Sequence, residues 1–188
     1  LRVTVLTPVA SSRMVAIVLH GGSSNSLRLR WFGELLAEQG FRVIMFDHEA
    51  SGTVSLDRRL SEATSIARKT LRPHDQLTVV GFSMGGFTAI ELAHNLPDRV
   101  ASLVLVAPAA YGDHTRRAAF GPDFRALISA PASWHEASCF GKLQALRLPT
   151  ILAIPSDDKV IPRGITERYE AVVRSLPLGQ VCVFPRAA

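Results

Sequence analysis

A chain of 188 residues with 47% hydrophobic and 20% charged residues can bury one substantial core and is too apolar to stay disordered. Its formal charge of +5 is carried mainly by scattered arginines, adjacent only at Arg58-Arg59 and Arg116-Arg117 and without interleaved aromatics, which argues against a nucleic-acid surface. The longest apolar stretch, around residues 100 to 110, is broken by Ser102 and Pro108 and is too short to span a membrane. The N-terminal "LRVTVLTPVA" lacks the apolar segment of a signal peptide, so a cytoplasmic location is expected.

In chain order, the first apolar run is "AIVL" (16–19), followed by the glycine-containing loop "HGGSSNS" (20–26). Residues 28 to 39 place Leu29, Phe32, Leu35 and Leu36 on one helical stripe, and Gly40 is the stop signal. The run "RVIMF" (42–46) leads into "FDHEASGT" (46–53), and residues 56 to 70 again read as a helix. "LTVV" (77–80) ends at "GFSMGG", a helix over 86 to 96 stops before Pro97, and "LVLV" (103–106) follows. "ILAI" (151–154) and "VCVF" (181–184) complete the set. These runs do not alternate apolar and polar residues, so both faces of each strand should be covered, as in a parallel sheet packed between helices. The expected fold is therefore α/β: one domain over residues 1 to 188 built on a doubly wound, mostly parallel sheet with right-handed crossovers. Residues 108 to 148 break the rhythm with mixed aromatics, Gly, Pro and charge, and are expected to form a small helical cap insertion. Cys139 and Cys182 fit neither a disulfide framework nor a zinc pattern and are expected to be buried free thiols.

The chemistry concentrates at Gly81-Phe82-Ser83-Met84-Gly85. A G-x-S-x-G pattern between a strand and a helix lifts the serine hydroxyl clear of the sheet on a strained turn, beside the positive end of the helix. Ser83 is the candidate nucleophile. His20-Gly21-Gly22 ends an earlier strand, and the N–H groups of Gly22 and Met84 are candidate oxyanion donors, each worth roughly 3 kcal/mol in such a site. His20 itself is expected to hold the loop. Beyond "ILAI" stands the acidic pair Asp157-Asp158, where a carboxylate can orient an imidazole.

With these residues in view the chain resembles the α/β-hydrolase fold superfamily of esterase- and lipase-like serine hydrolases. The matching stretches are HGG at 20–22, "FDHEASGT", GFSMGG at 81–86, "PDRVASLVLVAP" at 97–108 and the acid strand at 151–162, in the family's order over nearly the whole chain. The resemblance selects Asp158 as the acid, four residues before Pro162, although Pro155 stands where the family has glycine; Asp157 becomes a loop residue. Ala50 likewise replaces a glycine. The family carries its histidine in a loop after the last strand, ahead of a final helix, so the catalytic imidazole is expected beyond Ala188. Without that helix, one face of the last strand should be bare. Of the histidines present, His20 and His48 belong to loop motifs, His74 precedes a strand, His94 lies late in a helix, and His114 and His135 fall in the insertion.

The implied activity is hydrolysis of an ester, thioester or related small acyl compound through an acyl-enzyme. The resemblance implies no metal, organic cofactor or nucleic-acid partner. Phe82, Trp134 and Phe140, with Met84, are candidates for the acyl pocket or for simple core. A catalytically impaired pseudo-hydrolase that binds a ligand, and a carbon–carbon hydrolase or lyase on the same fold, are the alternatives.

Overall fold

Six of the strands form where the apolar runs predict them: β2 (Met14–Leu19), β3 (Arg42–Phe46), β4 (Gln76–Phe82), β5 (Val100–Val106), β6 (Thr150–Pro155) and β7 (Gly179–Phe184). All six run parallel. A seventh strand, β1 (Val3–Leu6), pairs antiparallel with β3, Val3 opposite Phe46, and gives the sheet order β1-β3-β2-β4-β5-β6-β7. The computed structural model describes residues 2–8, 12–22, 24–48 and 54–185. The glycine-replacing Ala50 and the rest of the 49–53 segment lie outside the described residues, as do Ser23 and residues 186–188.

The helices are α1 (Arg30–Glu38), α2 (Leu56–Thr70), α3 (Met84–Asn95), α4 (Pro122–Ser129), α5 (Cys139–Leu146) and α6 (Arg163–Ser175). The helix expected from residue 28 begins instead as a 3-10 turn, Ser26–Leu29, because Asn25 accepts the Arg28 N–H and tightens the first turn. Ser55 caps α2 in the same way, accepting from the Arg58 N–H. Residues 108 to 148 contain α4 and α5; α5 packs beside α3 and α6, while the segment leading out of α4 lies nearer the strand ends.

Two apolar layers sandwich the sheet. On one face Ile17, Leu19, Ile44, Phe46, Leu103 and Leu105 pack under α2, α3, α5 and α6. On the other, Ala16, Val18, Val43, Met45 and Val80 meet Phe32 and Leu36 of α1. Each such large side chain taken fully out of water contributes about 1.5–3 kcal/mol. Helix α1 covers only part of its face: Ile151 of β6 and Phe184 of β7 are more than a third exposed. Cys182 lies on this uncovered part, so the expectation that both cysteines are buried holds for Cys139 and not for Cys182. The apolar run at β7 reads the same whether or not a helix covers it, and only the packed neighbours decide which face is dry.

The chain leaves β2 toward β3 on one side and crosses to β4 on the other, so the order reverses between β2 and β4. Open α/β sheets place their crevice at the carboxyl ends of strands at such a point. The HGG loop and the Ser83 turn both begin there.

Candidate active site

Strand β4 runs into α3 with no intervening residue but Ser83, whose backbone is forced to φ 52 and ψ −117. An L-residue there stores about 1–3 kcal/mol of strain. Three backbone hydrogen bonds hold it: Ser83 N–H donates to the Val106 carbonyl at 2.9 Å, and the Ser83 carbonyl accepts from Gly86 at 2.9 Å and Ala109 at 3.0 Å. The turn closes only because its flanks lack side chains. A Cβ at Gly81 would overlap the Gly85 carbonyl oxygen, and one at Gly85 would overlap that of Leu19.

The HGG loop lies against this turn. A Cβ on Gly21 would stand 3.8 Å from Ser83 Oγ, and one on Gly22 would meet the Met84 side chain at 3.0 Å. Asp47 and Arg59 hold the loop at its two ends: Asp47 Oδ1 accepts the Ser26 N–H at 2.6 Å, and Arg59 Nη2 donates to the His20 carbonyl at 2.7 Å. His20 Nδ1–H donates to the Gly21 carbonyl at 2.7 Å, so this imidazole braces the loop.

Ser83 opens onto a cavity of about 520 Å³, within the usual range for small-ligand sites. Its walls come from three distant parts of the chain: Ala109 to Tyr111 after β5, Ile128 to Trp134 at and beyond the end of α4, and Val160 to Pro162 with Ile165 after β6. Among the described residues, no Asp, Glu, Lys, Arg or His lines it. Tyr111, packed on Phe87 and Phe124, has its phenol pushed up to about 12 by burial, against the pull of Arg59, and is uncharged at neutral pH.

Of the residues expected to line the pocket, Trp134 faces the cavity beside Ser83. Phe82 points the other way, edge-on to Phe32 at 5.4 Å in the layer under α1, because consecutive residues of a strand alternate faces. Phe140 is 3% exposed and stacks against Tyr169 at 4.7 Å in the helical layer. Asp158 stands in the turn after β6, where Oδ1 accepts the N–H groups of Val160 at 2.8 Å and Ile161 at 3.1 Å. That bond shapes the turn that presents Val160, Ile161 and Pro162 to the cavity. Asp157 beside it is exposed. None of the six histidines lines the cavity: His74, His94, His114 and His135 are exposed, and His20 and His48 are buried beneath the loop.

Tyr111, Val160 to Pro162 and Ile128 to Ser133 carry no local signal in the sequence. Arg59 had one. It falls three residues after Leu56 and four before Ala63, on the buried stripe of α2, yet it is 2% exposed.

Beneath the loop lies a small polar cluster. His48 Nδ1–H donates to Glu62 Oε2 at 2.8 Å, and its ring stands edge-on to His20 at 5.2 Å. Burial, then the charges of Arg59 and His20, hold His48 down at about 2. A neutral imidazole satisfies the Glu62 contact as a donor, so the bond does not require a charged ring. Burial, then Arg59, also lowers His20. Between pH 6.5 and about 2 the unfolded chain thus binds a proton at His48 that the folded chain does not. Stability is whole above that window and falls as the pH drops into it, by about 2–3 kcal/mol at about pH 4.5. Urea midpoints measured from about pH 7 to 4.5 should show this slope, and His48→Asn, which keeps a donor for Glu62, should flatten it. An unchanged slope in that variant refutes the assignment.

Among the described residues no group of three His, Cys, Asp or Glu side chains is placed to hold a metal ion, and no helix is long and apolar enough to cross a membrane. A family model described as the alpha/beta hydrolase fold matches residues 16–126, more than half of the chain. A protein described as a non-heme haloperoxidase, from Mycobacterium phage D29, is 36% identical over 103 residues, covering 52% of this chain and 37% of its own length. The chain thus spans well under half of that relative. Among solved structures, a carboxylesterase study of the thaumarchaeon Nitrososphaera gargenis gives a TM-score of 0.70 at 15% identity, covering 99% of this chain and 86% of that one. A meta-cleavage product hydrolase from Pseudomonas fluorescens IP01 also reaches 0.70, at 16% identity, with 98% and 85% covered. Identities this low speak to the shared fold alone.

Proposed function

Because the chain belongs to the alpha/beta hydrolase fold family, we propose that it serves as a serine hydrolase of small acyl compounds, with Ser83 as nucleophile. The observation that carries this reading is the position of Ser83: a strained, glycine-flanked turn, packed against Gly21 and Gly22, opening onto a cavity of about 520 Å³. A residue held in this conformation by three backbone hydrogen bonds is a site of stored strain of the kind found where geometry serves chemistry. In this reading Ser83 Oγ attacks the acyl carbon, the N–H groups of Gly22 and Met84 stabilise the oxyanion, and Asp158 orients the imidazole that takes the serine proton. The leaving group departs with that proton, and water then releases the acyl group. The cavity wall, uncharged among the described residues, favours a neutral, largely apolar acyl group, since a carboxylate there would be desolvated without a partner.

No histidine among those described lines the cavity, which favours a second reading, a ligand-binding module without turnover. One experiment separates the two. The complete gene product is treated with a fluorophosphonate probe and the adduct located by mass spectrometry, with Ser83→Ala as control. An adduct on Ser83 that is lost in Ser83→Ala supports the hydrolase; no adduct on the intact protein refutes it and favours the binding module. Carbon–carbon hydrolysis draws no support from a wall that is charge-free among the described residues and stands as the alternative reaction on this fold.

A further inference from the structure

Among the described residues Arg59 is the largest fully buried side chain, 2% exposed, and no carboxylate lies in ion-pair contact with it, although Glu62 acts on its charge from a distance. Glu62, one turn along α2, directs one oxygen to His48 at 2.8 Å and the other to Arg58 Nε at 3.1 Å. The guanidinium instead reaches the two backbone segments that flank Ser83. Nη2 donates to the His20 carbonyl at 2.7 Å, and Nη1 lies 3.3 Å from Met84 Sδ, on the side chain that a Cβ at Gly22 would meet. Nε has no partner among the described residues.

We propose that Arg59 is a positioning residue of the Ser83 site. Its buried cation ties the Gly21–Gly22 loop to the first residue of α3 and sets a positive field where negative charge develops at Ser83. The proposal rests on Ser83 being the reacting group. A lone buried cation is costly, and burial alone would drive a group to its neutral form. Burial brings Arg59 down only to about 10, with Tyr111 and Glu62 opposing, so it remains charged at neutral pH. The other ionisable groups around it are neutral or committed. His20 and His48 are held below their usual values, Tyr111 is raised to about 12, and Glu62 is shared between His48 and Arg58. An anion forming at Ser83 would therefore face this charge with no described carboxylate paired to it. A structural arginine needs only its hydrogen bonds, which lysine reproduces in part and methionine not at all. A field residue needs the charge.

The test reads the field without any catalytic imidazole. Ser83→Cys is made in a Cys182→Ser background, Cys139 being buried, and its thiol is titrated by the rate of iodoacetamide alkylation against pH. The expected thiol pKa lies below the ordinary value of about 8.5. Adding Arg59→Met should raise it by about one unit, an alkylation rate at neutral pH roughly tenfold lower, and Arg59→Lys should restore most of the shift. Near-identical pKa values in the three proteins overturn the proposal, as does an equal rise in the Lys and Met variants, which marks a packing role only. If Arg59→Met does not fold, Ser83→Cys alone decides: a thiol titrating at or above about 8.5 overturns it. Fluorophosphonate labelling of the unmodified serine is a separate readout, so failure of the hydrolase reading and failure of this one are distinguishable.

Discussion

Ser83→Gly is expected to be more stable than the parent protein while losing all covalent chemistry at the site. Ser83 sits at φ 52 and ψ −117, a conformation glycine adopts freely and serine does not. Relief of about 1–3 kcal/mol of strain outweighs the roughly 0.5–1 kcal/mol that glycine costs through the unfolded chain. A net gain near 1 kcal/mol raises the thermal midpoint by about 2–4 °C in a chain of this size. The hydroxyl is gone, so in the hydrolase reading kcat should fall by on the order of 10⁶. Calorimetry and fluorophosphonate labelling of the same preparation measure both. A Ser83→Gly protein less stable than the parent would show that the turn is not strained, and with it would go the main support for the functional reading.

Gly85→Val should destabilise the fold severely. The Cβ alone would overlap the Leu19 carbonyl oxygen and come within 2.9 Å of that of His20. Both are backbone at the end of β2, an interior strand between β3 and β4, where Leu19 is 1% exposed. Nothing there can rotate away, so α3 or β2 must move and the layer of Leu19, Phe87 and Ile90 opens. A loss above about 4 kcal/mol is expected, a large part of the stability of an ordinary domain. Gly141 is the control. It also lies in a helix, α5, but a Cβ there meets nothing within 4 Å. Gly141→Ala should therefore stabilise by up to about 1 kcal/mol through helix propensity. Urea denaturation of the two variants reads the contrast, and a folded Gly85→Val protein with near-parent stability would contradict the packing described.

Much of the architecture was legible because parallel strands are buried on both sides and leave uninterrupted apolar runs. β2 to β7 follow those runs, and α2 and α3 follow the stripes between them. β1 did not announce itself: four alternating residues form a strand only because β3 offers an open edge. The Ser83 turn was legible for a different reason, since only glycine fits positions 81 and 85 and the restriction is written into the sequence locally.

The placement of Phe82, Phe140 and Trp134 was not legible. Phe82 adjoins Ser83 and the other two lie in the 108–148 segment, and the sheet pleat and helix packing send them to three different surroundings. Arg59 looked like one of many surface arginines, and only α2 docking its stripe on the sheet buries it beneath the HGG loop.

By itself, then, the sequence determined the α/β order, the strained serine turn and the glycines that permit it, because these follow from local sterics and from the periodicity of burial. Tertiary structure alone decided which side chains wall the cavity, which imidazoles are buried neutral, and that a cation with no ion-pair contact among the described residues lies against His20 and Met84. Those facts arise where segments well separated in the chain meet, and the local pattern does not say which of them will.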